Sequence, residues 1–361
     1  MTKGPTRSHG RRATAASLVA GLVAAVALLA AGCGSSNDAG GTTESTTVTD
    51  TTPAKAIKVG LITDLGQLND NGFNEGAYNG LKRAERVLGV KGRVVESASA
   101  ADYIPNMSTL AKQGYDLIIG VGFAQGDAIA TTAKKYPDTS FAIVDVDQAS
   151  LKGKPANVVG LLFREEQVGY LTGYLAALEA KRAGANRISA VGGFKEPPVD
   201  RYIAGYFAGA EKAAPGIKLM HDYSQDWDDQ AKCKELALNQ IARGSNVIFQ
   251  VAGGCGLGAI QAAKESKGWG IGVDADQFYL GKHILTSALK KVDVGVFDTI
   301  KLARSAKWKG GVDGLYSAKN GGVGVGKVST TAPRRVALIN LLGKWTKDLA
   351  SGKVKPPSTV K

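Results

Sequence analysis

Lys58-Val-Gly-Leu-Ile-Thr-Asp-Leu-Gly-Gln-Leu-Asn-Asp-Asn-Gly-Phe-Asn-Glu-Gly-Ala-Tyr-Asn-Gly-Leu81 is a short apolar run that breaks into a polar, glycine-punctuated loop and resumes with helical periodicity. Leu61 and Ile62 end a buried strand, Asn71 is placed to cap a helix, and Ala77, Leu81, Ala84 and Leu88 recur at the spacing of one helix face. Asp64 falls just past the carboxyl end of the strand, where open parallel sheets bind small molecules, and Phe73 falls where the helix begins. A carboxylate and an aromatic face at that place suit a planar ligand with hydrogen-bonding edges.

Outward from this segment, strands and helices alternate. Apolar runs at Lys58 to Ile62, Asp116 to Val121, Phe141 to Val144, Arg187 to Val191, Val247 to Val251 and Gly270 to Val273 are separated by helical patterns near 73–88, 125–135, 165–180, 198–213, 229–243 and 256–266. This order predicts parallel sheets covered on both faces. There are too many units for one compact sheet, so a first lobe closes near Asn157 to Leu162 and a second series begins at Arg187. A strand at Ile284 to Ser287, a helix near 292–306, a run at Val323 to Val328 and a helix near 334–350 complete the chain.

The amino terminus is of another kind. Lys3, Arg7, Arg11 and Arg12 precede an uncharged stretch from Ala15 to Ala31, and small residues lead into Cys33. This pattern resembles a bacterial lipoprotein signal over residues 1–32, with Cys33 as the lipidated mature terminus. A plain secretory signal is the alternative. The Thr-, Ser- and Gly-rich stretch over 33–56 has too little apolar content to pack and reads as a flexible tether. The signal holds four basic and no acidic residues, so the +13 of the full chain becomes +9 on its removal. The remaining Lys and Arg are scattered along helices without interleaved aromatics, which argues for solvated faces and against nucleic acid.

Several enzyme classes are disfavoured. Gly120 to Gly126 is one residue too long for the dinucleotide fingerprint, and no Gly-Lys pair is followed by the Ser or Thr of a phosphate loop. With only His221 and His283 left in the mature chain, a multi-histidine metal site cannot be assembled, and neither a metal nor another cofactor is expected. Glu165-Glu166 and Asp228-Asp229 sit at helix starts, where acids favour the dipole. Cys233 and Cys255 stand near the starts of successive helices, and in an exported protein they are a plausible disulfide pair.

Taken in order, Asp64-Leu-Gly, Asp70-Asn-Gly-Phe-Asn74, Gly120-Val-Gly-Phe123, Phe141-Ala-Ile-Val-Asp145, Phe163-Arg-Glu-Glu166, Tyr170-Leu-Thr-Gly-Tyr-Leu-Ala176, Gly192-Gly193, Val199 to Gly205, Ala252 to Gly258 and Ile271 to Gln277 resemble the basic membrane protein family of bacterial lipoproteins. Those are purine-nucleoside-binding components of ABC importers. The resemblance implies an α/β architecture, the type I periplasmic-binding-protein fold, whose two doubly wound lobes enclose a ligand cleft at a hinge of three crossovers. The expected N-terminal lobe spans 57–161 and 287–320, and the C-terminal lobe 162–286 and 321–361.

By that resemblance Asp64 accepts hydrogen bonds from the purine edge and Phe73 is one of two rings that sandwich the base, with Asn74 beside it. Trp227 stands where the family usually has Phe and is the candidate second ring. Asp274 matches the ribose-binding carboxylate, Gly254 lies in the turn that approaches the sugar, and Lys290 aligns with a lysine near the ligand. The implied partners are a nucleoside, an ABC permease and, through the lipid on Cys33, the outer face of the cytoplasmic membrane; a monomer is expected. Trp227, and Gly66-Gln67 where the family commonly has Gly-Gly, leave open a sugar or signalling ligand in the same fold. A nucleoside hydrolase is the remote enzymatic alternative.

Overall fold

A computed structural model describes residues 56–305 and 307–360. The expected signal, Cys33 and all of the tether but Ala56 lie outside them. The chain first runs β1 (Lys58–Ile62), α1 (Phe73–Leu88), β2 (Lys91–Val95), α2 (Tyr103–Lys112), β3 (Leu117–Gly120), α3 (Gly126–Lys135), β4 (Ser140–Val144) and β5 (Val158–Phe163). It continues with α4 (Glu165–Arg182), β6 (Arg187–Gly192), α5 (Pro197–Ala213), β7 (Lys218–Tyr223), α6 (Gln230–Ala242), β8 (Val247–Val251), α7 (Gly256–Glu265), β9 (Trp269–Asp274) and β10 (Ile284–Lys290). Last come α8 (Val292–Arg304), β11 (Val312–Tyr316), β12 (Val323–Val325) and α9 (Arg335–Ala350).

Two six-stranded sheets result, ordered β11-β5-β4-β3-β1-β2 and β12-β10-β9-β8-β6-β7. The lobes are therefore topological copies, with β1 answering to β6 and β4 to β9. Every pairing is parallel except that of β12 with β10. Central strands are apolar on both faces, as β3 and β8 show by being buried throughout.

The chain crosses between lobes after β5, after β10 and after β11. The crossings lie side by side: Arg164 N–H donates to the carbonyl of Tyr316 at 2.9 Å, and Lys291 N–H to that of Gly322 at 2.9 Å. Phe163 stacks on Tyr316 at 4.9 Å between centroids. β5 runs to Phe163 and β10 to Lys290, so the crossings fall later than the expected boundaries at 161/162 and 286/287.

Helices α4 and α5 pack almost backbone to backbone, because glycine faces glycine-spaced carbonyls. A Cβ at Gly173 would stand 1.8 Å from the Tyr206 carbonyl oxygen, and one at Gly209 2.0 Å from that of Tyr170. This contact fixes the amino end of α5 beside the start of α4, where the lobes meet.

Candidate ligand-binding cleft

Between the lobes lies a cleft with about 610 Å³ of space inside its walls, part of it open to solvent. Asp64, Phe73, Asn74, Trp227, Gly254, Asp274 and Lys290, singled out from the sequence, all line it. So do Asp70, Gly122, Asp145, Glu196 and Tyr202, which were not.

On the first lobe, Asp64 follows β1 and is 6% exposed. Its Oδ1 accepts from the Tyr103 hydroxyl at 2.7 Å and from the Leu65 N–H at 2.8 Å. Its Oδ2 lies over Gly122, which has φ of 113° and could not carry a side chain, since a Cβ there would come within 1.8 Å of that oxygen. Burial pushes the Asp64 carboxyl up from 3.8 to about 6; Tyr103 and Leu65 oppose the shift, and the charge of Asp145 adds to it. Asn74 is fixed by the Asp64 N–H, which donates to its Oδ1 at 3.1 Å, so the amide nitrogen is the end left over.

The cap of α1 differs from expectation. Asp70, not Asn71, receives the free amides, accepting from Gly72 at 2.9 Å, Asn74 at 2.7 Å and Glu75 at 3.2 Å. Asn71 adopts φ of 57°, in the left-handed region, and its carbonyl accepts from the Gln277 side chain of the other lobe at 3.2 Å. The carboxylate one residue earlier has two acceptor oxygens and reaches three donors, and the loop then turns through Asn71 to meet the second lobe.

From the second lobe come Trp227 and Asp274. The Trp227 ring packs so close to Gly193 that a Cβ there would be 2.2 Å from it, and Phe194 packs against it at 5.4 Å between centroids. Its carbonyl accepts from Cys255 N–H at 2.8 Å, tying it to the turn that holds Gly253 and Gly254. Cys233 and Cys255 form a disulfide beneath, with Cα atoms 5.6 Å apart, joining α6 to the start of α7.

Asp274 ends β9 in the left-handed region, φ 60°, and accepts from the Tyr202 hydroxyl at 2.9 Å. Burial raises its carboxyl to about 7; Lys290 and Tyr202 oppose this, while Asp70 and Asp145 add to it. Asp145, just past β4, has φ of 73° and is the counterpart of Asp274 in the first lobe. The repeat is written in sequence as Val144-Asp-Val-Asp-Gln148 and Val273-Asp-Ala-Asp-Gln277. That signal was available before the structure and could have marked Asp145.

Lys290 reaches the cleft as part of a buried charge network. Its ammonium is 2.7 Å from Asp145 and 2.8 Å from Glu165, and lies 5.0 Å from the centroid of Phe73. Arg201 on α5 closes the network with a 2.7 Å contact to Glu165. Burial works against the Lys290 charge, but Asp145, Glu165 and Asp274 together hold its pKa above the ordinary value. Burial also works against ionised Glu165, which Lys290 and Arg201 nevertheless keep below its usual range. Glu165 thus does more than favour a helix dipole, because it is an inner member of an ion-pair chain joining both lobes.

Among the described residues no cluster of His, Cys, Asp and Glu is arranged to hold a metal ion, and no helix is long and apolar enough to cross a membrane. The cleft instead offers hydrogen-bond acceptors and aromatic faces, a setting for recognition of a neutral, donor-rich, planar molecule.

The sequence profile of the family described as ABC transporter substrate-binding protein PnrA-like matches residues 57–341. An ABC transporter nucleoside-binding protein, BmpA, of Lactococcus lactis subsp. cremoris is 34% identical over 370 residues, 96% of this chain and 99% of that one. An uncharacterised lipoprotein of Pyrococcus horikoshii is 35% identical over 279 residues, 74% of this chain and 68% of its own. Among solved structures, a solute-binding protein of an ABC transporter system from Aeropyrum pernix superposes with a TM-score of 0.75 at 26% identity, covering 84% of this chain and 94% of its own. Another from Conexibacter woesei gives 0.68 at 25%, covering 85% and 100%.

Proposed function

Because this chain belongs to the PnrA-like family of ABC transporter substrate-binding proteins, we propose that it is an exported lipoprotein that captures a purine nucleoside between its lobes and delivers it to an ABC permease. It acts as a monomer, binds without catalysis, and is held to the outer face of the cytoplasmic membrane by lipid on Cys33. Expression of a Cys33→Ser chain should shift the protein from the membrane fraction to the soluble one; retention in a high-salt membrane wash would place the anchor elsewhere.

The observation that carries the ligand reading is the division of labour in the cleft. Phe73 and Asp64 come from the first lobe, Trp227 and Asp274 from the second, and all line one space. In this reading Phe73 and Trp227 stack on the base, at roughly 1–3 kcal/mol for each ring. Asp64 takes the base edge through its free Oδ2. Asp274 accepts ribose hydroxyls, Gly254 lets the backbone near the sugar, and Lys290 holds Asp145 in place behind them. Closing on the ligand and binding it are then one event.

Calorimetry of the mature protein with guanosine, inosine, adenosine and the free bases tests this. Nucleosides should bind at micromolar affinity or better, and Asp274→Ala should weaken nucleosides at least about tenfold while hardly affecting free bases. Equal losses for nucleoside and base would remove the ribose assignment, and no binding of any nucleoside would remove the function.

A further inference from the structure

Glu196 occupies the N-cap position of α5 and does none of a cap's work. A capping side chain accepts from the second or third amide of its helix. Here the first two helical residues are Pro197 and Pro198, which have no N–H to offer, and the Glu196 side chain makes no capping bond. The one helical amide that returns to this residue, that of Asp200, bonds the Glu196 backbone carbonyl at 2.9 Å. The carboxyl is thereby released into the cleft, which it lines, and it has no hydrogen-bond or ion-pair partner among the described residues.

Its surroundings define what would satisfy it. Burial raises its carboxyl from 4.5 to about 7, with further upward pushes from Asp64 and Asp145 and an opposing one from Lys290. Tyr103, bonded to Asp64, also feels its charge. Glu196 and Asp64 line the same cleft from opposite lobes, and the Oδ1 of Asp64 is taken twice while its Oδ2 is free. Beside Asp64 stands the Asn74 amide nitrogen, left as a donor because its oxygen is engaged. A donor, an acceptor and a second acceptor thus face the same space from both lobes. Glu196 is partly buried, and a partly desolvated acceptor without a protein donor is improved by a ligand that brings one.

We propose that Glu196 is a specificity-determining residue that accepts a second N–H from the base edge, so that the cleft selects a base with one acceptor beside two donors. Resting on the nucleoside reading above, this names guanosine, whose O6, N1–H and N2–H₂ answer Asn74, Asp64 and Glu196 in turn. Inosine keeps the first two groups and lacks the amino group. Adenosine presents a donor and an acceptor in the opposite order.

The test is calorimetry above neutral pH with guanosine and inosine on the mature parent protein, Glu196→Ala and Glu196→Gln, each checked for an unchanged unfolding profile. The parent should bind guanosine at least about tenfold more tightly than inosine, the value of one charge-assisted hydrogen bond. Glu196→Ala should reduce that ratio to within about threefold, and Glu196→Gln, which keeps one acceptor, should fall between. A parent that binds both nucleosides equally, or an alanine variant that keeps the parental ratio, overturns the role of Glu196 and leaves the nucleoside function standing. A parent that binds neither overturns both.

Discussion

Lys290 stands on the cleft wall, but its ammonium is already engaged by Asp145 and Glu165. Removing it strands the buried Asp145 and leaves Glu165 with Arg201 alone. Lys290→Met should therefore cost about 3–5 kcal/mol of stability, a fall in melting temperature on the order of 10 °C for a domain of this size. A thermal unfolding curve within a degree or two of the parent would show that the network relaxes or admits water instead. The seven ligand candidates were legible through ordered motifs. Their supporting partners were not, because Tyr103, Tyr202 and Arg201 come from segments whose proximity only the fold creates. Glu196 was hidden for a different reason: an acid before two prolines reads as an ordinary helix start, and its freedom shows only when the missing cap bonds are counted.

Among elements, most strands buried on both faces are marked by apolar runs, β5 excepted, whereas of the four edge strands only β12 is. The central strands β1, β3, β4, β6, β8 and β9 are apolar runs, and the starts and ends of α1, α5 and α7 fall within a residue or so of the periodicity. The edge strands β2 (KGRVV), β7 (KLMHDY) and β11 (VDGLY) carry charges and glycine because they are half in solvent, and no apolar run marks them. Helix α2 was missed because Pro105, Asn106, Ser108 and Thr109 weaken its local signal; it is held by Tyr103, Met107 and Leu110 on the buried side. The disulfide between α6 and α7 closes a sequence separation of 22 and by loop entropy contributes about 3 kcal/mol. Through the Cys255 N–H bond to the Trp227 carbonyl it also anchors the turn on which Trp227 rests.

For the whole molecule, the accumulation of acids in one cleft makes stability depend on pH in an unusual direction. Asp64 is raised to about 6, and Glu196 and Asp274 to about 7, chiefly by burial. Facing them are Asp70, Asp145, Tyr103 and Tyr202, with Lys290 as the opposing charge. For a carboxyl with a raised folded pKa, the folded state binds more protons than the unfolded one between the two values, so stability falls as pH rises through that interval. The ligand-free protein should melt several degrees higher at about pH 5.5 than at about pH 7.5, and Asp274→Asn should flatten the difference. A melting temperature that climbs over this range would mean that ion pairs elsewhere outweigh the cleft. The same interior charges have a mechanical meaning. The bond between Lys290 and Asp145 ties one lobe to the other beside the crossing at Lys291, close to the line about which the lobes must swing. An axle moves little while the rim of the wheel travels far. Opening the mouth would thus part Asn71 from Gln277 and Gly66 from Trp227 while the axle keeps its charge balance, so that force applied at the outer edges of the two lobes gains leverage on the cleft without breaking the ion pair at its back.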